Sequence, residues 1–184
     1  MKNSIEYQLI LDHYTTRCAT RSGVPLMNHI DEGLEILEWL GASNAAKGGY
    51  CLHPLVQDVK DLQENIERLG AIPEIEESLA RALTYRLFAN KYLCRPATDG
   101  WDVDQIRRVM LGTNMLWPTE TRHMLIADKV QNQKDFLQYH YGTHARSEQL
   151  KKYFENWLEV LDYKSEVQRR DPNCVVFEDG VDLQ

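Results

Sequence analysis

Apolar residues in this chain recur every three or four positions and almost nowhere alternate, a spacing that points to an all-α fold. Between Asn28 and Leu40, the residues Ile30, Leu34, Ile36, Leu37 and Leu40 mark one buried helix face. Gly41 reads as its stop and Ser43 as the N-cap of a short helix from Asn44 through Tyr50, Cys51, Leu52 and His53. Pro54 is expected to end or kink that helix, because it lacks an amide proton. Asp58 to Leu69 is a charged amphipathic segment with Leu62, Ile66 and Leu69 in register. Pro73 separates it from a helix over Ile75–Leu93, whose start is acidic (Glu74, Glu76, Glu77) and solvated. A loop over Cys94–Gly100, a short helix Asp104–Leu111 and a break over Gly112–Thr121 follow. Arg122–Tyr139 then reads as a helix with Met124, Leu125, Ala127, Val130 and Phe136 inward. Tyr139-His140-Tyr141-Gly142-Thr143-His144 is the densest polar-aromatic cluster and suits either the mouth of a pocket or, as the plainer reading, a helix end with Gly142 as C-cap. Ser147–Glu166 reads as one long helix with Leu150, Phe154, Trp157, Leu158 and Leu161 as its stripe. Only Cys174–Phe177 hints at a strand. The expectation is a single helical domain over residues 1–170 with a loose tail at 171–184.

The chain's 184 residues suffice for a sizeable core, and its formal net charge is −7. Without an excess of Lys and Arg to displace counterions, general nucleic-acid binding is excluded, while a local basic pocket is not. No apolar run approaches the roughly 18 residues of a membrane span, and the start carries no signal-peptide core. Cys18, Cys51, Cys94 and Cys174 form no CxxC pair, so the expectation is a thiol-reduced, cytoplasmic protein. Trp39, Trp101, Trp117 and Trp157 read as packing anchors.

Three segments place polar residues where an apolar helix face should continue. In Arg21-Ser22-Gly23-Val24-Pro25-Leu26-Met27-Asn28-His29, a Gly-Pro turn delivers a histidine to the first turn of a buried helix. The second is Leu52-His53-Pro54-Leu55-Val56-Gln57-Asp58. In the third, Leu125 to Asn132, Asp128 lies within an apolar stripe, where an unpaired carboxylate costs several kcal/mol and calls for a cation or donors. Two imidazoles and a carboxylate from separate helices make a three-ligand site with open positions, suited to Mn²⁺, Fe²⁺ or Zn²⁺. Each residue also has a purely structural reading. His29 suits a satisfied core histidine, His53 a helix C-terminal cap, and Asp128 an ion pair with Lys129. The remaining histidines, His13, His123, His140 and His144, offer a further ligand or, as the plainer reading, are ordinary helix-surface residues.

Ser22-Gly23-Val24-Pro25-x-x-Asn28-His29 resembles the SGxPYxxHP opening of the RelA/SpoT-type alarmone hydrolases. Leu52-His53-Pro54-Leu55-Val56-Gln57-Asp58 lies where that family has LHDxxED, and Ile126 to Asn132 resembles its KLADRLxN signature. Lys151 to Trp157 is similar to the YFEW segment of the small metazoan SpoT homologues. The four segments keep their order over about residues 17 to 161. The resemblance implies a divergent member of the HD-domain superfamily, an all-helical domain that binds a divalent ion (often Mn²⁺) and removes phosphate or pyrophosphate from nucleotides. It implies His29, His53 and Asp128 as metal ligands, Asn132 near the nucleotide, and Asp58 as second acid of the ED pair. Arg17 or Arg21 would be the cation stacked on the base.

Two departures stand against that pattern. Pro54 replaces the namesake aspartate, and Gln57, which cannot accept a proton, replaces the catalytic glutamate. The first functional expectation is a metal-dependent phosphohydrolase for a nucleotide or related phosphorylated small molecule, as a monomer or homo-oligomer. In it His29, His53 and Asp128 hold the metal, Asp58 beside Gln57 activates water, and Lys129 with Arg17 or Arg21 neutralises phosphate. The second is a non-catalytic nucleotide-binding or protein-interaction descendant. A minor third is iron-dependent oxygenation on a His₂Asp set.

Overall fold

The computed structural model describes residues 1–20, 22–89, 118–143 and 145–170. Every regular element among them is helical. The α-helices are α1 (Ile5–Tyr14), α2 (Leu26–Trp39), α3 (Asn44–Val56), α4 (Val59–Gly70), α5 (Glu76–Phe88), α6 (Thr119–Tyr139), α7 (Ser147–Val160) and α8 (Tyr163–Arg170), with a 3₁₀ turn at Pro73–Ile75. The only strand-like pairing among the described residues is an isolated antiparallel bridge between Cys18 and Pro25. The all-helical expectation therefore holds. No helix is long and apolar enough to cross a membrane, among the described residues. The expected loop at 94–100, helix at 104–111, strand hint at 174–177 and tail at 171–184 lie outside the described residues, as do Arg21, His144, Trp101 and Trp117.

The described residues divide into two compact units, 1–89 with 118–128, and 129–170. The first is organised around α3, which packs against α1, α2, α4 and α5. It is buried almost all round, from Ala46 to Val56, as a central helix must be. Small residues let its neighbours approach: a Cβ on Gly49 would stand 2.8 Å from Arg81 Cβ and 3.1 Å from the Ser78 carbonyl oxygen on α5. The Ser43 hydroxyl accepts the Ala46 amide at 3.1 Å, capping α3 as its sequence requires. Gly41, at φ 59°, ends α2 through the Ala42 amide to the Leu37 carbonyl, a left-handed stop.

Helix α1 has no counterpart in the sequence reading. Only Tyr7 and Ile10 are buried on it, too thin a stripe to register as a period. Tertiary contacts hold it instead: the Tyr7 hydroxyl donates to Asp31 at 2.8 Å and Ser78 donates to Glu6 at 2.6 Å.

The second unit contains the rest of α6, with α7 and α8. Phe136 and Phe154 meet at 5.7 Å between ring centroids, with Trp157 buried nearby in sequence on α7. The long helix expected over Ser147–Glu166 is two helices. Asp162 takes φ 55°, a left-handed value that Asp tolerates, and breaks the chain after Leu161. Periodicity alone hides the break because Leu161, Tyr163 and Val167 stay buried on both sides of it. Gly142 is left-handed, at φ 79°, but it lies three residues past the end of α6 and its amide donates to the Ser147 hydroxyl at 3.0 Å. The expected C-cap is therefore corrected: the Phe136 carbonyl is met by the His140 and Tyr141 amides instead. Trp39 departs from expectation, standing 37% exposed at the end of α2 rather than anchoring a core.

Candidate metal centre

Gly23, at φ 72°, and Pro25, the N-cap of α2, set the start of that helix so that His29 falls in its first turns. His53 lies near the end of α3. Asp128 follows the buried run Met124 to Ala127 on α6 and is itself buried. All three belong to the first unit. Their ligand atoms lie within 4.8 Å of one another, forming the only such histidine–carboxylate group among the described residues. His29 Nε2 is 3.3 Å from His53 Nε2 and 3.7 Å from Asp128 Oδ1. The His29 side chain is 21% exposed against 9% for Asp128, so the cluster opens to solvent on the His29 side.

The tautomer of His53 follows from its partner. Nδ1 is 2.6 Å from the Tyr50 carbonyl oxygen, which can only accept, so Nδ1 carries the proton. The neutral ring then presents a bare Nε2 to the cluster, the arrangement that metal-binding histidines adopt. Two ligands at roughly 2.1 Å from one ion stand about 3–3.5 Å apart, and the His29–His53 separation matches that spacing. The donor set, two imidazoles and a buried carboxylate, fits a borderline divalent cation.

Two further side chains shape the centre, and neither was anticipated from sequence. The Tyr50 hydroxyl lies 3.3 Å from His29 Nε2 and 3.4 Å from the His29 carbonyl oxygen. Burial, with the Asp128 charge next, pushes its pKa well above the usual tyrosine value, so the hydroxyl keeps its proton. Tyr85 on α5 packs its ring 5.0 Å from that of His53. Tyr50 was legible in principle, being three residues before His53 on the same face of α3; Tyr85 carried no such local signal.

Of the other sequence candidates, Asp58, Gln57 and Arg17 take up local roles. Asp58 is exposed and serves as the N-cap of α4, its carboxylate accepting the Asp61 amide at 2.7 Å. It is not part of the grouped ligand atoms. Gln57, half-buried, forms the C-cap of α3. Arg17 is exposed; its guanidinium donates to the His13 carbonyl at 2.8 Å and lies 5.4 Å from the Tyr14 ring centroid. Lys129 and Asn132 belong to the second unit, where the Lys129 ammonium sits 5.5 Å and 6.0 Å from the Tyr153 and Phe154 ring centroids. Arg21 lies outside the described residues. Comparison with protein families, curated proteins and solved structures finds no match to this chain.

Proposed function

We propose that this chain binds a divalent cation, Mn²⁺ in the first instance with Fe²⁺ and Zn²⁺ as alternatives, through His29, His53 and Asp128. On that ion it acts as a phosphohydrolase toward a nucleotide or related phosphorylated small molecule. The observation that carries the reading is the convergence of three ligand atoms within 4.8 Å, with the His53 tautomer fixed by a backbone carbonyl. His53 and Asp128 lie 24 and 99 positions from His29 in the chain, so nothing local brings their ligand atoms to its ring. A divalent ion would supply Lewis acidity toward a phosphoryl oxygen and lower the pKa of water. The chain's own contribution is to hold the His53 imidazole in its ligand tautomer and to offer the protonated Tyr50 hydroxyl as a hydrogen-bond donor beside His29. The resemblance of the three ligand segments to those of the alarmone hydrolases supports the choice of a phosphorylated nucleotide.

A second reading, binding without turnover, is favoured by one feature. Asp58, the one acid retained at the family's catalytic pair, is committed to capping α4, and its partner position is Gln57.

Calorimetry with Mn²⁺ on chelator-stripped protein tests both readings, with His53→Ala and Asp128→Asn as controls and circular dichroism to verify their folding. A screen with guanosine tetraphosphate and nucleoside triphosphates follows. Binding in the wild type that both substitutions remove, together with phosphate release, supports the hydrolase. Metal and nucleotide binding without release leaves the second reading standing. No Mn²⁺, Fe²⁺ or Zn²⁺ binding by the wild type overturns the metal centre.

A further inference from the structure

We infer that Pro54 is a positioning residue for His53: by withholding an amide proton from the Tyr50 carbonyl, it reserves that oxygen for His53 Nδ1–H and so directs Nε2 into the cluster. The effect on metal affinity rests on the metal reading proposed above; the effect on the imidazole does not.

In an α-helix the amide of residue 54 donates to the carbonyl of residue 50. Proline has no such proton, yet α3 continues past it to Val56, with Pro54 inside the helix. Of the two sequence expectations for Pro54, that it ends or that it kinks the helix, the first is therefore corrected. Only one intrahelical bond is lost, and the turn survives because another donor takes its place. Tyr50 is fully buried, so its carbonyl must find a partner within the protein. The donor found is the neighbouring imidazole, at 2.6 Å. That bond decides which ring nitrogen is bare, and the bare one faces His29 Nε2 at 3.3 Å.

An alanine at position 54 would restore the amide donor and align the Tyr50 carbonyl with the helix axis, away from the imidazole. The same change removes a helix-interior proline, which by itself stabilises the fold. The two consequences have opposite signs, and a merely structural proline would give only the second.

The experiment compares wild type and Pro54→Ala. The tautomer of His53 is read by ¹⁵N NMR on metal-free protein at mildly alkaline pH, where an ordinary imidazole is neutral. Melting temperature and Mn²⁺ affinity are measured alongside. Expected are a Nδ1–H tautomer in the wild type and a mixed or Nε2–H population in Pro54→Ala. The variant is also expected to show a higher melting temperature and an affinity for Mn²⁺ about tenfold weaker, the scale of losing a group that orients a ligand. A Nε2–H tautomer in the wild type overturns the inference without recourse to any variant, so a misfolded Pro54→Ala would not shield it. An unchanged tautomer in Pro54→Ala overturns it as well. If the wild type binds no Mn²⁺, the metal reading fails, while the tautomer comparison still decides the role of Pro54.

Discussion

The ring of Tyr50 occupies the space that a side chain at residue 33 would fill: a Cβ on Gly33 would overlap its Cε1, its Cζ and its hydroxyl oxygen. Gly33 stands one helical turn after His29 on α2, so the missing methyl is what admits the hydroxyl to His29 Nε2. Through its hydroxyl Tyr50 thus meets one histidine, and through its carbonyl the other.

Gly33→Ala is accordingly expected to destabilise the protein by about 1–3 kcal/mol, the usual range for overpacking a core. An exposed Gly→Ala change in a helix would instead stabilise by about 1 kcal/mol. Urea unfolding gives the sign, and a stabilised variant would show that the Tyr50 ring does not fill this space.

Asp58 separates capping from catalysis through two substitutions. Asp58→Ala removes the acceptor for the Asp61 amide and is expected to lower stability by about 1 kcal/mol, whereas Asp58→Asn keeps a good cap. If both variants unfold at the wild-type urea midpoint, the cap contributes nothing. If Asp58→Asn keeps its stability and loses phosphate release, the carboxylate acts in the reaction as well.

Cys18 and Cys51 are both free thiols, the first exposed and the second buried. Burial, reinforced by Glu6, pushes the Cys51 thiol up to about 12, so almost no thiolate forms at ordinary pH. Iodoacetamide at about pH 8 should alkylate Cys18 readily and leave Cys51 unmodified until denaturant is added. Peptide mapping that finds equal labelling of the two in native protein would contradict the packing of α3.

His13 has its pKa lowered below the ordinary imidazole value, by burial first and by the Arg17 charge next, with Arg68 in the same sense and Asp61 and Glu64 opposing. The unfolded chain therefore binds this proton more readily than the folded one, and stability falls as pH drops through the usual histidine range of about 6.5. The loss levels off below the folded pKa and is absent at alkaline pH. Replacing His13 with Gln should flatten the denaturation midpoint across that window; an unchanged slope would assign the dependence to other groups.

Sequence by itself determined the helical class, most helix boundaries and the three ligand-type residues. The stop at Gly41, the Ser43 cap and the apolar steps of α2 act within a turn or two of the chain, so they are visible without the fold. His29, His53 and Asp128 were legible because a polar group on an apolar face stands out locally. What those residues do to one another was settled only by tertiary packing. Asp58 looked like an acid available for chemistry and is a helix cap, since its use depends on where α4 begins. Pro54 reads as a terminus or a kink and lies inside α3, because a neighbouring imidazole supplies the hydrogen bond that it cannot. Tyr50 reaches His29 only because a glycine on another helix leaves room for its ring. Periodicity records which face of a helix is buried; the atoms that meet across that face come from residues distant in the chain, and their distances are fixed by packing alone.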